Sequence, residues 1–181
     1  MVALNPDKAV RPPEILAAHH DLESFDNGQH PTLDRWLRET ARKSEGLSAR
    51  TYVVCAADRP ERVVGYFAIS TAMAHRGALP SAKLRRDMPN DVPLLLIGRL
   101  AVDKDYQGLG LGSALLADAL ARCESAAEIA GARGVIAHAI DEAALGFYLK
   151  YGFTHAPELG ERVVLLSIET IRRARPHTPA T

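Results

Sequence analysis

The segment PLLLIGRLAVDKDYQGLGLGSALLADALARC, residues 93–123, narrows most sharply what this chain can fold into. A near-continuous apolar run of this kind is the pattern of a strand buried on both faces. It ends in an acidic turn, passes through glycines at every second position (Gly108, Gly110, Gly112) and enters a run with helical periodicity from about Ser113 to Ala130. Leu116, Leu120, Cys123, Ala127 and Ala130 recur there at the spacing of one helix face. A strand feeding a helix through a glycine turn gathers main-chain N–H groups at the helix N-terminus. The unpaired amides and the helix dipole attract an anion, and residues without Cβ let it approach. Glycine at alternate positions also occurs in tight turns that bind nothing, so the loop alone leaves both readings open. Two other phosphate folds are disfavoured. The spacing is not the dinucleotide Gly-x-Gly-x-x-Gly, three strands and helical material precede it, and no Gly-Lys-Ser/Thr follows for a Walker loop.

The remaining segments predict a mixed α/β domain. EILAAHH is compatible with a first strand, and TLDRWLRETARKSEG has helical spacing through Leu33, Trp36 and Leu37, with Gly46 as its stop. TYVVCAAD and RVVGYFAISTAMA read as antiparallel strands joined at RPE. GVIAHAI is a further strand, DEAALGFYLKYG a helix beginning after Asp141, and RVVLLSI a closing strand. The proline- and charge-rich ends predict flexible tails at residues 1–12 and 172–181 around one domain, 13–171. The two cysteines, Cys55 and Cys123, have neither metal-ligand nor disulfide-scaffold spacing. No apolar run approaches the ~18 residues of a membrane span. These features predict a cytoplasmic protein with no metal and no membrane association.

With both motifs in view, the middle of the chain resembles the GNAT acetyltransferase superfamily. LAVDKDYQGLGLGSALLADAL matches its acyl-CoA signature, and AIDEAALGFYLKYGF matches its closing signature through Ala144, Tyr148, Gly152 and Phe153, with Asp141 where the family commonly has asparagine. The resemblance implies the GNAT fold, a central mixed, mostly antiparallel sheet flanked by helices, and acetyl-CoA as cosubstrate. It implies that Gln107, Gly108, Leu109, Gly110, Leu111, Gly112 and Ser113 hold the pyrophosphate. Leu100, Ala101 and Val102 would pair with the pantetheine arm, with Asp141 as a further cofactor contact. A main-chain N–H near Val102 would serve the oxyanion, and Tyr148 would be the acid at sulfur. A phenol of pKa ~10 is a plausible donor to a departing thiolate. Phe147 and Tyr151 read as packing. His75 and His138 read as structural histidines, and no carboxylate stands out as a general base.

Charge adds a second constraint. The chain is formally neutral, yet residues 35–86 hold 11 Lys/Arg against 4 Asp/Glu. Arg35, Arg38, Arg42 and Lys43 have spacings that can share a helix face, and Arg76, Lys83, Arg85 and Arg86 follow in an irregular connection; with Arg99 they are candidate contacts to a phosphorylated substrate. LDRWL, RTYVVC and KLRRDMPNDVPLLLIGRLAVD extend the resemblance to the GNAT toxins of bacterial toxin–antitoxin pairs. That resemblance implies acetylation of the α-amine of aminoacyl-tRNA, a block of translation, and a ribbon-helix-helix antitoxin as partner, with a homodimer expected. An α-amine (pKa ~7.7–8.0) needs less help losing its proton than a lysine (~10.4), which suits a site without an evident base. The alternatives are a GNAT enzyme for a small amine or protein N-terminus, and a non-catalytic acyl-CoA-binding regulatory module.

Overall fold

The computed structural model describes residues 8–174. In chain order its elements are β1 (Glu14–Ile15), α1 (Pro31–Glu39), α2 (Ala41–Ser44), β2 (Arg50–Cys55), β3 (Val63–His75), α3 (Ala82–Arg85), β4 (Asp91–Val102), α4 (Leu111–Ala130), β5 (Gly134–His138), α5 (Glu142–Lys150), β6 (Thr154–His155), β7 (Val163–Ser167) and α6 (Ile168–Ala174). The strands form one seven-stranded sheet in the order β1-β2-β3-β4-β5-β7-β6. Its β4–β5 pair is parallel, and β1–β2, β2–β3, β5–β7 and β6–β7 are antiparallel. This is the mixed, mostly antiparallel sheet with flanking helices that the sequence predicts.

The chain resolves into two compact units, the first running to Ser70 with Gly98–Ala119, the second Thr71–Ile97 with Leu120 onward. The first is built on the β1-β2-β3 antiparallel ladder. Leu16, Leu22, Phe25, Leu37, Val53, Val63 and Tyr66 form its buried cluster, with Leu33 and Trp36 of α1 packed against it. Each large apolar side chain so buried contributes roughly 1.5–3 kcal/mol. Tyr66 stands edge-on to Phe25 and stacks on Trp36, and its hydroxyl donates to the Leu33 carbonyl at 2.8 Å. The start of α4 comes close to β3 at Gly65, where a Cβ would lie 3.0 Å from Leu115 Cδ1. In the second unit β5 lies between β4 and β7, and Leu79, Leu84, Val92, Leu94, Ile136, Val163 and Leu165 fill the core.

Several boundaries differ from the sequence prediction. The first strand is only two residues, because His20 turns back so that its Nδ1 accepts the Ala17 N–H. The single helix expected to run to Gly46 is interrupted at Thr40, which closes α1 by donating its N–H to the Trp36 carbonyl. Helix α4 starts at Leu111, two residues early, so Gly112 and Ser113 are in its first turn rather than before it. Of the expected N-terminal tail, residues 1–7 lie outside the described residues; Ala9, Val10 and Arg11 run beside Cys55–Ala57, with the Arg11 N–H on the Cys55 carbonyl and the Ala57 N–H on the Ala9 carbonyl. Of the C-terminal tail, residues 172–174 are helical and 175–181 lie outside the described residues.

Candidate functional site

The glycine turn is held from below by buried polar groups. Asp103, 1% exposed, ends β4 with its N–H on the Val64 carbonyl, while its carboxylate accepts the N–H groups of Asp26 at 3.2 Å and Asp105 at 3.0 Å. Lys104 pairs with Asp26 through its ammonium at 2.6 Å and donates its N–H to the Asp26 carbonyl. Gln107 Nε2 donates to the carbonyls of Val102 at 2.9 Å and Asn27 at 2.8 Å. Asn27 is itself buried and bonded to Asp34 and His30. Strand end, turn and the 26–34 loop are thus one hydrogen-bonded block. Asn27, Asp34 and Asp103 were not singled out from sequence; an Asn-Gly turn and an aspartate closing an apolar strand were the available signals.

On this base Gly108 and Gly110 take left-handed backbone conformations, φ +72° and +84°. An added Cβ at Gly108 would meet nothing within 4 Å, so its requirement is conformational rather than steric. Helix α4 then opens with Ala114 bonded to the Gly110 carbonyl, and Ser113 Oγ donates to that same carbonyl at 2.8 Å. The N–H groups of Leu111, Gly112 and Ser113 precede the first intrahelical bond and have no partner within the helix. They lie at the positive end of a 20-residue helix dipole. Gln107, Gly108 and Gly110 are exposed, Leu109, Gly112 and Ser113 half-buried and Leu111 buried. The arrangement fits a pyrophosphate: amides for the oxygens, and open space where a Cβ would stand at Gly108.

Strand β4 pairs with β5 only from Leu95 to Ile97. The ladder does not reach Leu100, Ala101 and Val102, which leaves that strand edge able to pair with an extended ligand arm. Ala101 is buried and its two neighbours half-buried.

In the second unit Asp141 caps α5, its Oδ1 accepting the Ala144 N–H at 2.7 Å. Tyr148 is 6% exposed, between Phe147 and Phe153 with ring centroids 5.4 and 5.3 Å away, both edge-on. Burial pushes its phenol up to about 12. It therefore stays protonated at neutral pH and can serve as a proton donor, never as a resting base. Tyr151 is 40% exposed and packs on Phe147.

The basic candidates fall in both units. In the first, Arg35 is exposed, Arg38 donates to the Phe25 carbonyl, and Arg99 lies over the Trp36 ring at 5.6 Å. The break at Thr40 interrupts the shared face expected for Arg35 to Lys43, and Arg42 donates to the His20 carbonyl at 2.6 Å. In the second, Arg76 donates to the Met88 carbonyl, Lys83 pairs with Glu169 at 3.0 Å, and Arg85 and Arg86 are exposed. His75 Nδ1 accepts the Gly77 N–H, the structural role expected of it.

Glu14, His20 and Cys55 bring three donor atoms within 4.8 Å. The Ala17 N–H on His20 Nδ1, at 2.9 Å, leaves the imidazole proton on Nε2, the atom that a metal there would need. Burial depresses the His20 pKa and raises Cys55 to about 11, so the imidazole and the thiol pack there as neutral groups.

Known proteins share this architecture and these motifs. The acetyltransferase (GNAT) domain family model matches residues 48–155, spanning the glycine turn and Tyr148. A tRNA-acetylating toxin of Mycobacterium tuberculosis is 40% identical over 147 residues, 80% of this chain and 85% of the toxin. Among solved structures, AtaT complexed with acetyl-methionyl-tRNAfMet superposes with a TM-score of 0.83 at 29% identity, covering 91% of this chain and 98% of that one. A tyrosine-to-phenylalanine mutant of the AtaT toxin, bound to the C-terminus of the antitoxin AtaR and acetyl-CoA, gives 0.76 at 28% identity, covering 91% and 96%. A match across most of the chain at this identity, with the strand–glycine turn–helix and the capped tyrosine helix both in place, decides the matter: the chain belongs to the GNAT acetyltransferase family.

Proposed function

We propose that this protein is the toxin of a toxin–antitoxin pair, transferring acetyl from acetyl-CoA to the α-amine of aminoacyl-tRNA and so blocking translation. The likeness to tRNA-acetylating toxins over most of the chain carries the reading. The local geometry supports it residue by residue. The amides of residues 108–113 bind the pyrophosphate, and the β4 edge at Leu100–Val102, beyond the ladder to β5, aligns the pantetheine arm as an added strand. A main-chain N–H of that edge donates to the thioester oxygen as charge builds there. When bound, acetyl-CoA supplies an activated acyl group and a sulfur leaving group.

A thiol of ordinary pKa ~8.5 is a stronger acid than the Tyr148 phenol, whose value burial raises to about 12. Tyr148 therefore stabilises the departing sulfur by donating a hydrogen bond and keeps its proton, while the proton that the attacking amine loses on acylation balances the thiolate. Asp141 caps α5 through Oδ1 and so sets where Tyr148 stands, and it keeps the cofactor contact that the resemblance implies for its position. No side chain is required as base, because an esterified α-amine is already partly neutral at physiological pH. Arg35, Arg38, Arg76, Lys83, Arg85, Arg86 and Arg99 supply phosphate contacts that bring the RNA to the site.

Complexes of AtaT with its antitoxin AtaR, one of them bound to DNA, support an antitoxin partner here. The resemblance to the toxin family adds to this reading a ribbon-helix-helix form for that partner and a homodimeric toxin. A block of translation at charged tRNA implies a cytoplasmic site of action; among the described residues no helix is long and apolar enough to cross a membrane.

The experiment is to incubate the protein with labelled acetyl-CoA and, separately, charged tRNA, free amino acids and polyamines. Label is expected on charged tRNA alone, with a rate that falls steeply with salt because phosphate contacts release counterions. Reversing Arg85 and Arg86 to glutamate is expected to raise the KM for charged tRNA with acetyl-CoA affinity unchanged. These two are better probes than Lys83, whose reversal would set a second carboxylate against Glu169. Label on free amines with none on tRNA overturns the toxin reading.

A further inference from the structure

The second unit contains a pocket of about 190 Å³, room for about six water-sized volumes, between α3, the approach to β5 and the β7–α6 junction. Lys83 and Arg133 stand in its wall with the hydroxyls of Ser81, Thr154, Ser167 and Thr170, and a single carboxylate, Glu169. Arg133 Nε donates to the Leu84 carbonyl at 3.1 Å and its NH2 to the Lys83 carbonyl at 2.7 Å. These bonds hold the guanidinium rigidly and leave three of its five N–H donors. Among the described residues no carboxylate lies within ion-pair distance of it. Ser167 Oγ accepts the Thr170 N–H at 3.0 Å and lies 2.8 Å from Thr170 Oγ1. Two hydroxyl protons share that one contact, so one O–H is left to point elsewhere. Glu169 is held by Lys83 at 3.0 Å and Arg173 at 2.6 Å. Three cations against one carboxylate leave the cluster positive.

We propose that this pocket is an oxyanion site that takes a backbone phosphate of the substrate RNA, a reading that rests on the transferase function above. Donors from a fixed guanidinium, an ammonium and hydroxyls on several walls outnumber the two oxygens of a carboxylate and suit the tetrahedral set of a phosphate. Arg85 and Arg86 follow Lys83 directly in the chain, exposed and without an ion pair among the described residues, which favours a polyanion that continues past the pocket over a free ion. Glu169 is the counter-charge that keeps the cations in place while the site is empty, and it weakens any anion that enters.

The test uses the full chain and two variants. Lys83→Met removes the ammonium but keeps the carbonyl on which Arg133 rests; Glu169→Gln removes the opposing charge. Inorganic phosphate, titrated by 31P NMR, is expected to bind saturably at millimolar concentration. Affinity should be about 5-fold weaker in Lys83→Met and tighter in Glu169→Gln, in line with charge-assisted contacts. In the transfer assay, Lys83→Met is expected to raise the KM for charged tRNA by about 3- to 10-fold and to lower the salt slope by about one contact, with kcat and the KM for acetyl-CoA unchanged. Phosphate that fails to saturate, or binds both variants as it binds the parent, overturns the site. Phosphate affinity that shifts while RNA kinetics stay fixed overturns its assignment to RNA. If the parent transfers no acetyl to charged tRNA, the function above fails separately, and filter binding of uncharged tRNA to the same variants decides the pocket.

Discussion

Gln107 Nε2 donates to the Val102 carbonyl across the acidic turn, 2.9 Å away, and the same nitrogen reaches the Asn27 carbonyl at 2.8 Å. One amide thereby couples the end of β4, where the pantetheine edge lies, to the glycine turn. Gln107→Leu removes both bonds, one exposed and one part-buried, costing about 1 kcal/mol of stability. Acetyl-CoA affinity is expected to fall about 10-fold while the fold persists. Calorimetric titration beside a thermal melt checks both, and unchanged affinity would refute the coupling.

Gly110 and Gly112 are expected to respond to different substitutions. Gly110 holds φ +84°, so Gly110→Ala pays roughly 1–2 kcal/mol for a left-handed alanine and lowers the melting temperature. Gly112 lies in the first turn of α4 and holds no positive φ, so Gly112→Asp places a Cβ and a carboxylate there without a left-handed backbone, and Gly112→Asn separates the charge from the bulk. Gly112→Asp should leave the fold intact and abolish acetyl-CoA binding, because a carboxylate then stands among the amides that face phosphate. Retained binding in the folded Gly112→Asp protein would remove the loop from the site.

Tyr148→Phe deletes only the hydroxyl of a buried ring packed on Phe147 and Phe153. Turnover is expected to drop on the order of 100-fold with acetyl-CoA affinity retained. Full activity at saturating acetyl-CoA would sink the assignment.

The same residue carries a pH signature. Its folded-state pKa, about 12, is above the unfolded value of ~10, so the native state keeps its proton longer. The stabilisation linked to it is complete below pH ~10 and is lost as pH rises toward 12. The tyrosinate absorbance difference between parent and Tyr148→Phe should titrate near 12; a midpoint near 10 would mean that the ring is solvated.

Both thiols are buried, and burial raises Cys55 to about 11 and Cys123 to about 12. Little thiolate exists at neutral pH, so neither should react with a thiol reagent in the native protein. Both should react together on unfolding. Rapid labelling of one in native buffer would contradict its placement.

How far the sequence reached is clear from particular residues. Strand, glycine turn and helix at 93–130, and helix α5 after Asp141, were legible because apolar period, glycine and capping chemistry are local properties of neighbouring residues. The two motifs were legible for the same reason. Tertiary structure alone decided that Gln107, Asp103 and Asn27 tie the turn together, since bonds such as Gln107 to Asn27 join residues 80 positions apart. It ended the first helix at Thr40 despite unbroken periodicity, and turned the chain at His20 where a longer strand was expected. It also separated cations that charge counting had pooled: Arg42 on a carbonyl, Lys83 on a carboxylate, and Arg85 and Arg86 exposed to solvent. Net charge is additive along a chain, but the availability of each charge depends on what folding places beside it, and that partner is not written in the neighbouring sequence.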